Sequence, residues 1–199
     1  MGSVAVLASG SGSNFQAICE SLAAGPHVVA GLLCDQPGAP VLKRAEALDV
    51  PWALVPYEAS SDGAKQTAEG RMESILRAWQ PDIIALAGFM RVLSTAFLNA
   101  FPRMIVNLHP ALLPNHRGLN AIQRSYETDD EVVGITVHFV DDGIDTGEII
   151  RREPLARREG ETLAELEMRM HELEHRTYPE VIQSLLAELD ALCGKDGPP

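Results

Sequence analysis

Five short apolar runs, each followed by a stretch with helical spacing, constrain this chain more than any other feature. The runs are SVAVLA (3–8), VVAGLL (28–33), WALV (52–55), DIIALA (82–87) and MIVNLH (104–109). Helices are predicted near 14–24, 39–49, 62–79 and 94–100. The third of these repeats Ala68, Met72, Ile75, Leu76 and Trp79 as a stripe at helical spacing. Strands without polar alternation are buried on both faces, and helices between them serve as crossovers. The pattern therefore predicts a parallel sheet covered on both sides.

After residue 110 the pattern changes. A polar loop to about 119 and a short helix precede VVGITVHFV (132–140) and EIIRREPL (148–155), which flank the acidic turn DDGIDTG (141–147) as an antiparallel pair would. A last helix is predicted from Thr162, where Glu165 three residues on completes a capping box, with Leu163, Leu166, Met170 and Leu173 as its core stripe. The expected fold is α/β and Rossmann-like: a mostly parallel sheet with helices on both faces and an antiparallel strand pair in the C-terminal half. One domain over residues 1–193 is expected, with GKDGPP (194–199) a disordered tail.

Charge argues against one broad class of function, while leaving room for a small, local basic site. The 199 residues carry a net charge of −12, which argues against a surface that coats nucleic acid, since phosphate contacts need clustered Lys and Arg. Cys19, Cys34 and Cys193 are widely spaced and odd in number, neither a disulfide framework nor a zinc pattern. No signal-peptide pattern and no run of about 18 apolar residues is found, so no membrane partner is expected. A cytoplasmic protein with reduced thiols is the expectation.

The segment ASGSGSNFQAI (8–18) joins the first strand to the first helix. A loop of this kind offers free backbone N–H groups and the positive end of a helix dipole. Ser13 and Gln16 could cap the helix reciprocally. The dinucleotide fingerprint G-x-G-x-x-G fails, because Gly10 and Gly12 fit but Phe15 stands where the third glycine belongs. A monophosphate ligand is favoured over a dinucleotide; a tight turn without any ligand is the plainer alternative.

In VNLHPALLP (106–114), Asn107 and His109 interrupt an apolar strand two residues apart, so their side chains share a face. Pro110 has no N–H to continue the ladder, which ends the strand near the carboxyl edge where α/β sheets bind ligands. An amide can donate to a developing oxyanion and an imidazole can move a proton near neutral pH. A satisfied polar pair is the alternative. A carboxylate partner for the imidazole could come from Asp141, Asp142 or Asp145. That loop matches no EF-hand, and no His or Cys cluster accompanies it, so no metal is expected.

Together these stretches resemble one family, the small monofunctional phosphoribosylglycinamide formyltransferases of purine synthesis. The resemblance rests on LASGSGSNFQAI (7–18), PDIIALAGFMRVLS (81–94), IVNLHPALLP (105–114), GITVHFVDDGIDTGEII (134–150) and EHRTYP (174–179), in order along nearly the whole chain. It implies transfer of the formyl group of 10-formyltetrahydrofolate to the amine of glycinamide ribonucleotide. By the same resemblance, Asn107, His109 and Asp145 are the catalytic trio. Gly12, Ser13 and Asn14 hold the substrate phosphate, and Glu174 contacts the glycinamide substrate. Met90, Arg91, Val92 and Leu93 line the pterin, and Asn107 with Asp141, Asp142, Gly143, Ile144 and Asp145 faces the folate. Lys65 falls where the family often has a basic residue near the folate.

The partners implied are these two small molecules, with the chain a monomer or homodimer. Ala111 replaces a common Ser and Thr146 a common Gly, and NHRGLNAIQRS (115–125) is closer to methionyl-tRNA formyltransferases. The net charge of −12, the Ser-Gly-Ser-Asn loop and the expectation of no second, basic domain favour the phosphorylated small amine over tRNA. Formyltetrahydrofolate hydrolysis, or formyl transfer to another amine, is the alternative chemistry.

Overall fold

The computed structural model describes residues 1–57, 62–128 and 130–193; the expected tail 194–199 lies outside the described residues. In chain order the elements are β1 (Ser3–Ala8), α1 (Ser13–Leu22), β2 (Val28–Cys34), α2 (Pro40–Ala47), β3 (Trp52–Leu54), α3 (Asp62–Trp79), β4 (Ile83–Leu86), α4 (Thr95–Ala100), β5 (Ile105–His109), α5 (Ala121–Glu127), β6 (Val132–Phe139), β7 (Ile149–Ala156) and α6 (Leu163–Cys193). They build one sheet in the order β3-β2-β1-β4-β5-β6-β7. The pairs from β3 through β5 are parallel, and β6 and β7 add on antiparallel. This is the α/β architecture expected from the sequence, including the strand pair around the acidic turn.

The strand order reverses beside β1, which pairs with β2 on one side and β4 on the other. The loops leaving β1 and β4 therefore diverge there, at the kind of crevice where α/β sheets take ligands. Two contacts fix these loops to each other: Ser9 N donates to Gly88 O at 3.1 Å, and Met90 N donates to Ser9 Oγ at 2.9 Å.

Alternation along the strands sends side chains to two cores. Val4, Val6, Val106 and Leu108 pack with Phe15 and Ile18 of α1 and Leu166 and Met170 of α6. Ala5, Leu7, Ile84 and Ile105 pack with Met72 and Leu76 of α3 and with Phe97. Tyr178 locks α6 onto the sheet: its hydroxyl is fully buried and donates to Leu86 O at 3.0 Å and Val106 O at 3.1 Å, bridging β4 and β5. At the start of α6, Thr162 and Glu165 form the expected capping box, with Glu165 N on Thr162 Oγ1 at 3.3 Å and Thr162 N on Glu165 Oε2 at 2.9 Å.

The start of α1 differs from expectation. Gly12 is its N-cap, in the left-handed region at φ 77°, and no side chain caps the helix. Gln16 turns away, donating to Glu20 Oε1 at 2.7 Å and accepting from Arg44 Nη1. The charged guanidinium supplies a stronger partner for the Gln16 carbonyl oxygen than a backbone amide would. Arg44 Nε also donates to Ser11 O at 2.8 Å, which braces the loop from outside. The first turn of α1 thus keeps its amides free of side-chain caps.

Candidate active site

Ile105, Asn107 and His109 share one face of β5, and their surroundings change along it. Ile105 belongs to the core under α3 and α4; Asn107 and His109 lie further along, where that helical layer gives way to the loop 141–147. Asn107 therefore stands on the sheet face and not beyond its edge, while His109 is the last residue of the strand. Beyond it, Thr136 of β6 holds the turn: its hydroxyl donates to Ala111 O at 2.7 Å and accepts from Leu113 N at 3.0 Å.

Asp145 is the aspartate that reaches these residues. Its Oδ2 lies 3.3 Å from His109 Nδ1 and accepts from Gly118 N at 2.8 Å. Its Oδ1 lies 3.5 Å from both Asn107 Nδ2 and His138 Nε2. Asp145 sits at φ 51°, a left-handed conformation that turns it inward while Asp141, Asp142, Gly143 and Ile144 stay exposed. Asp141 is used within the loop, accepting from Gly143 N at 3.2 Å and Thr146 Oγ1 at 2.7 Å. Burial raises the Asp145 pKa, but hydrogen bonds from His138 and Gly118 and the charges of His109 and His138 outweigh it, leaving the carboxyl at about 2.

His109 is 4% exposed, with oxygen acceptors at both ring nitrogens: Asp145 at Nδ1 and His116 O at 3.0 Å from Nε2. Asp145 pulls the imidazole pKa upward, as expected from its charge, yet burial is the larger effect and the net shift is downward.

His138 is a member of this cluster that the sequence reading missed. It pairs in register with Asn107 across β5 and β6; its Nδ1 lies 2.8 Å from Phe139 O and its Nε2 lies 3.3 Å from Asn107 Nδ2. With Nδ1–H donating to that carbonyl, Nε2 faces both the Asn107 amide and Asp145 Oδ1. The available signal was a histidine inside the otherwise apolar run GITVHFV.

A second group lies at the start of α1. Asn14 Nδ2 donates to Glu174 Oε2 at 2.8 Å, and His171 Nδ1 lies 3.2 Å from the same oxygen. Glu174 is buried, and it holds the His171 pKa above its ordinary value. Oδ1 of Asn14 is buried and makes no hydrogen bond among the described residues. Gly12 is needed for space as well as backbone: a Cβ there would lie 2.4 Å from Val41 Cγ2. Gly12, Ser13, Asn14 and Glu174 therefore meet, beside the open first turn of α1.

The segment after β4 forms a third group. Met90 and Val92 are 62% and 63% exposed, Leu93 is buried, and Arg91 Nε pairs with Asp35 Oδ2 at 2.6 Å. Lys65 is half-buried in the first turn of α3, away in sequence from all of these. Among the described residues no group of three or more His, Cys, Asp and Glu side chains is placed to hold a metal ion.

Residues 3–182 match the formyl transferase family. The chain is 42% identical over 184 residues to phosphoribosylglycinamide formyltransferase of Bacillus subtilis, covering 92% of this chain and 93% of that protein. Similar crystal structures include these two. Phosphoribosylglycinamide formyltransferase of Bacillus halodurans superposes with a TM-score of 0.88 at 38% identity, over 94% of this chain and 96% of that one. Glycinamide ribonucleotide transformylase 1 of Geobacillus kaustophilus gives 0.87 at 41% identity, over 94% and 99%. The chain belongs to the formyl transferase family, in its phosphoribosylglycinamide formyltransferase branch.

Proposed function

We propose that this chain, as a single formyltransferase domain over residues 1–193, transfers the formyl group of 10-formyltetrahydrofolate to the primary amine of glycinamide ribonucleotide in purine synthesis. The observation that carries the reading is one carboxylate, Asp145, reaching both the His109 ring and the Asn107 amide. A proton carrier and an oxyanion donor are thereby held on the same strand face.

The attacking amine adds to the formyl carbon, and the carbonyl oxygen becomes a tetrahedral oxyanion. Asn107 Nδ2 lies 3.3 Å from His138 Nε2 and 3.5 Å from Asp145 Oδ1; when substrate binds, the N–H on the longer contact turns to the oxyanion. His109 takes the proton lost by the amine and returns one to the departing folate nitrogen, or stabilises the oxyanion as a cation. Asp145 orients the ring and stabilises its charged form. Bond formation at the amine and cleavage at the folate nitrogen leave formylated glycinamide ribonucleotide and tetrahydrofolate, with no net proton consumed. Because Asp145 holds Nδ1 and His116 O occupies Nε2, substrate reaches the ring by replacing the His116 contact.

The amides of Gly12, Ser13 and Asn14, at the positive end of α1, take the substrate phosphate, and Glu174 takes its glycinamide portion. Met90, Arg91, Val92 and Leu93, together with the loop 141–145 and Lys65, take the folate. The reaction needs no metal.

Absorbance change on folate deformylation, with and without glycinamide ribonucleotide, tests the reading. Formyl loss that requires the ribonucleotide is the expected result. Equal loss without it would make the chain a hydrolase, and no loss at all would reject formyl chemistry.

A further inference from the structure

The segment proposed as the folate wall is braced from behind by a closed circuit of side chains. Arg91 Nε pairs with Asp35 Oδ2 at 2.6 Å, and the Arg91 guanidinium lies 5.3 Å from the centre of the Tyr57 ring. Tyr57 Oη donates to Glu69 Oε1 at 2.6 Å. Glu69 then accepts from Ser94 twice, from its backbone N–H at 2.9 Å and from its hydroxyl. Ser94 in turn caps α4, accepting from Phe97 N at 3.1 Å. The chain from Arg91 to Ser94 closes the ring. With Met90 N on Ser9 Oγ, residues 90, 91 and 94 are anchored to the residue after β1, the residue after β2 and α3.

Both acids in this circuit are buried, Asp35 at 1% exposed and Glu69 at 5%. Oδ1 of Asp35 makes no hydrogen bond among the described residues, so this carboxylate is balanced by Arg91 and by the Gln36 side-chain amide at 2.9 Å. Buried carboxylates are costly unless paired. What they hold is unusual: Met90 and Val92, two large apolar side chains directed into water. A loose loop would fold such side chains against the surface, whereas anchors on both sides keep them presented. Glu69 also lies one helical turn beyond Lys65 on α3, so the same anchor places that cation relative to the wall.

We propose that Asp35 and Glu69 are positioning residues for folate recognition: by fixing Arg91 and Ser94 they preorganise the Met90–Leu93 wall and set its spacing from Lys65. The proposal rests on the assignment of that segment to the folate. A preorganised surface avoids the ordering cost of binding, so loss of the brace falls on folate affinity and spares the steps at Asn107 and His109.

The test compares Glu69→Leu, which removes all three accepted hydrogen bonds, with Glu69→Gln. The amide oxygen still accepts from Tyr57 and from Ser94 N, and the amide nitrogen can donate to the Ser94 hydroxyl. Glu69→Leu is expected to raise the KM for 10-formyltetrahydrofolate about tenfold, with kcat and the KM for glycinamide ribonucleotide within about twofold and Glu69→Gln near wild type. If Glu69→Leu does not fold, Tyr57→Phe, which removes one hydroxyl from the ring, should raise the folate KM alone by a smaller factor. A folded Glu69→Leu with unchanged folate KM, equal rises in both KM values, or a Tyr57→Phe enzyme with unchanged folate KM overturns the proposal. Wild-type enzyme in the same assay separates the two levels of inference: without turnover there, the formyltransferase reading fails and the brace falls with it. Normal wild-type turnover with unmoved variants rejects the brace alone.

Discussion

Oδ2 of Asp145 stands 3.3 Å from Nδ1 of His109, while the neighbouring aspartates of the same loop point elsewhere. Asp141 is consumed by the loop's own hydrogen bonds and Asp142 is exposed. Asp145→Asn should therefore cut turnover heavily and lower the His109 pKa further, since the upward pull of the charge is lost while burial remains. Asp142→Asn should change neither. If the pair acts as a unit, Asp145→Asn combined with His109→Ala should be barely slower than His109→Ala alone. NMR titration of the His109 ring and rates for the four members of the cycle measure both. Unchanged titration and rate in Asp145→Asn, or simple addition of the two losses, would remove Asp145 from its assigned role.

Asn107→Ala should fold normally and lose about two to three decades in kcat, as removal of an oxyanion donor does. The substitution also leaves His138 Nε2 without its amide neighbour, so His138→Phe in the wild-type background is the informative companion. If His138 acts only by fixing the Asn107 rotamer, the double substitution should be no slower than Asn107→Ala. Near-wild-type turnover in folded Asn107→Ala would sink the oxyanion assignment.

The parts of this site that were legible in the sequence are those where a polar residue breaks a strong apolar period. Asn107 and His109 stand out because β5 is otherwise buried, and Pro110 marks where the ladder stops. His138 breaks β6 in the same way, but its importance depends on facing Asn107, and cross-strand register is not local information. The choice of Asp145 among three aspartates depended on one left-handed residue in an irregular loop, which periodicity does not encode. The brace behind Met90–Leu93 was invisible for a related reason. Asp35, Tyr57, Glu69 and Ser94 follow or lie between different strands and meet only through tertiary contacts. At α1 the local rule gave the wrong partner for Gln16, because Arg44 of α2 arrives from outside the helix.

The start of α1 should report ground-state binding. Asn14→Ala is expected to raise the KM for glycinamide ribonucleotide more than that for the folate, with kcat little changed. Its amide links the start of α1 to Glu174, so the variant also leaves that buried carboxylate with one donor fewer. Steady-state kinetics with each substrate varied in turn decide it. Equal effects on both KM values in a stable variant would count against a phosphate cradle.

Gly12→Ala should affect the loop through geometry alone. The new Cβ would meet Val41 Cγ2 at 2.4 Å on a backbone at φ 77°. The strain is expected to cost about 1–3 kcal/mol of stability and to displace the amides at the start of α1. Urea unfolding should show the loss, with the KM for the phosphorylated substrate raised in parallel. A variant with wild-type stability and KM would show that the loop tolerates a side chain there.

Acid should expose the cost of maintaining Asp145 ionised. Its folded pKa is about 2, against an ordinary value of 3.8. A depressed carboxyl contributes stability that is complete above the unfolded value and is lost as pH falls through the folded one, here between about 4 and about 2. The contribution is on the order of 1–2 kcal/mol, allowing for its partial solvent access. His109 adds a separate window. Its folded pKa lies below 6.5, so the folded state resists protonation and stability declines as pH falls from 6.5 through the folded value. Other carboxylates titrate in the same range, so the informative quantity is the difference in urea-unfolding free energy between wild type and Asp145→Asn. That difference should grow as pH falls below 6.5, because the variant's folded His109 resists protonation more, and then shrink as pH falls from about 4 toward 2, because protonated Asp145 and Asn are then alike in charge. A difference that stays constant from neutral pH down to pH 2 would mean that the Asp145 charge, and with it the histidine pairing at its core, contributes nothing to the folded state.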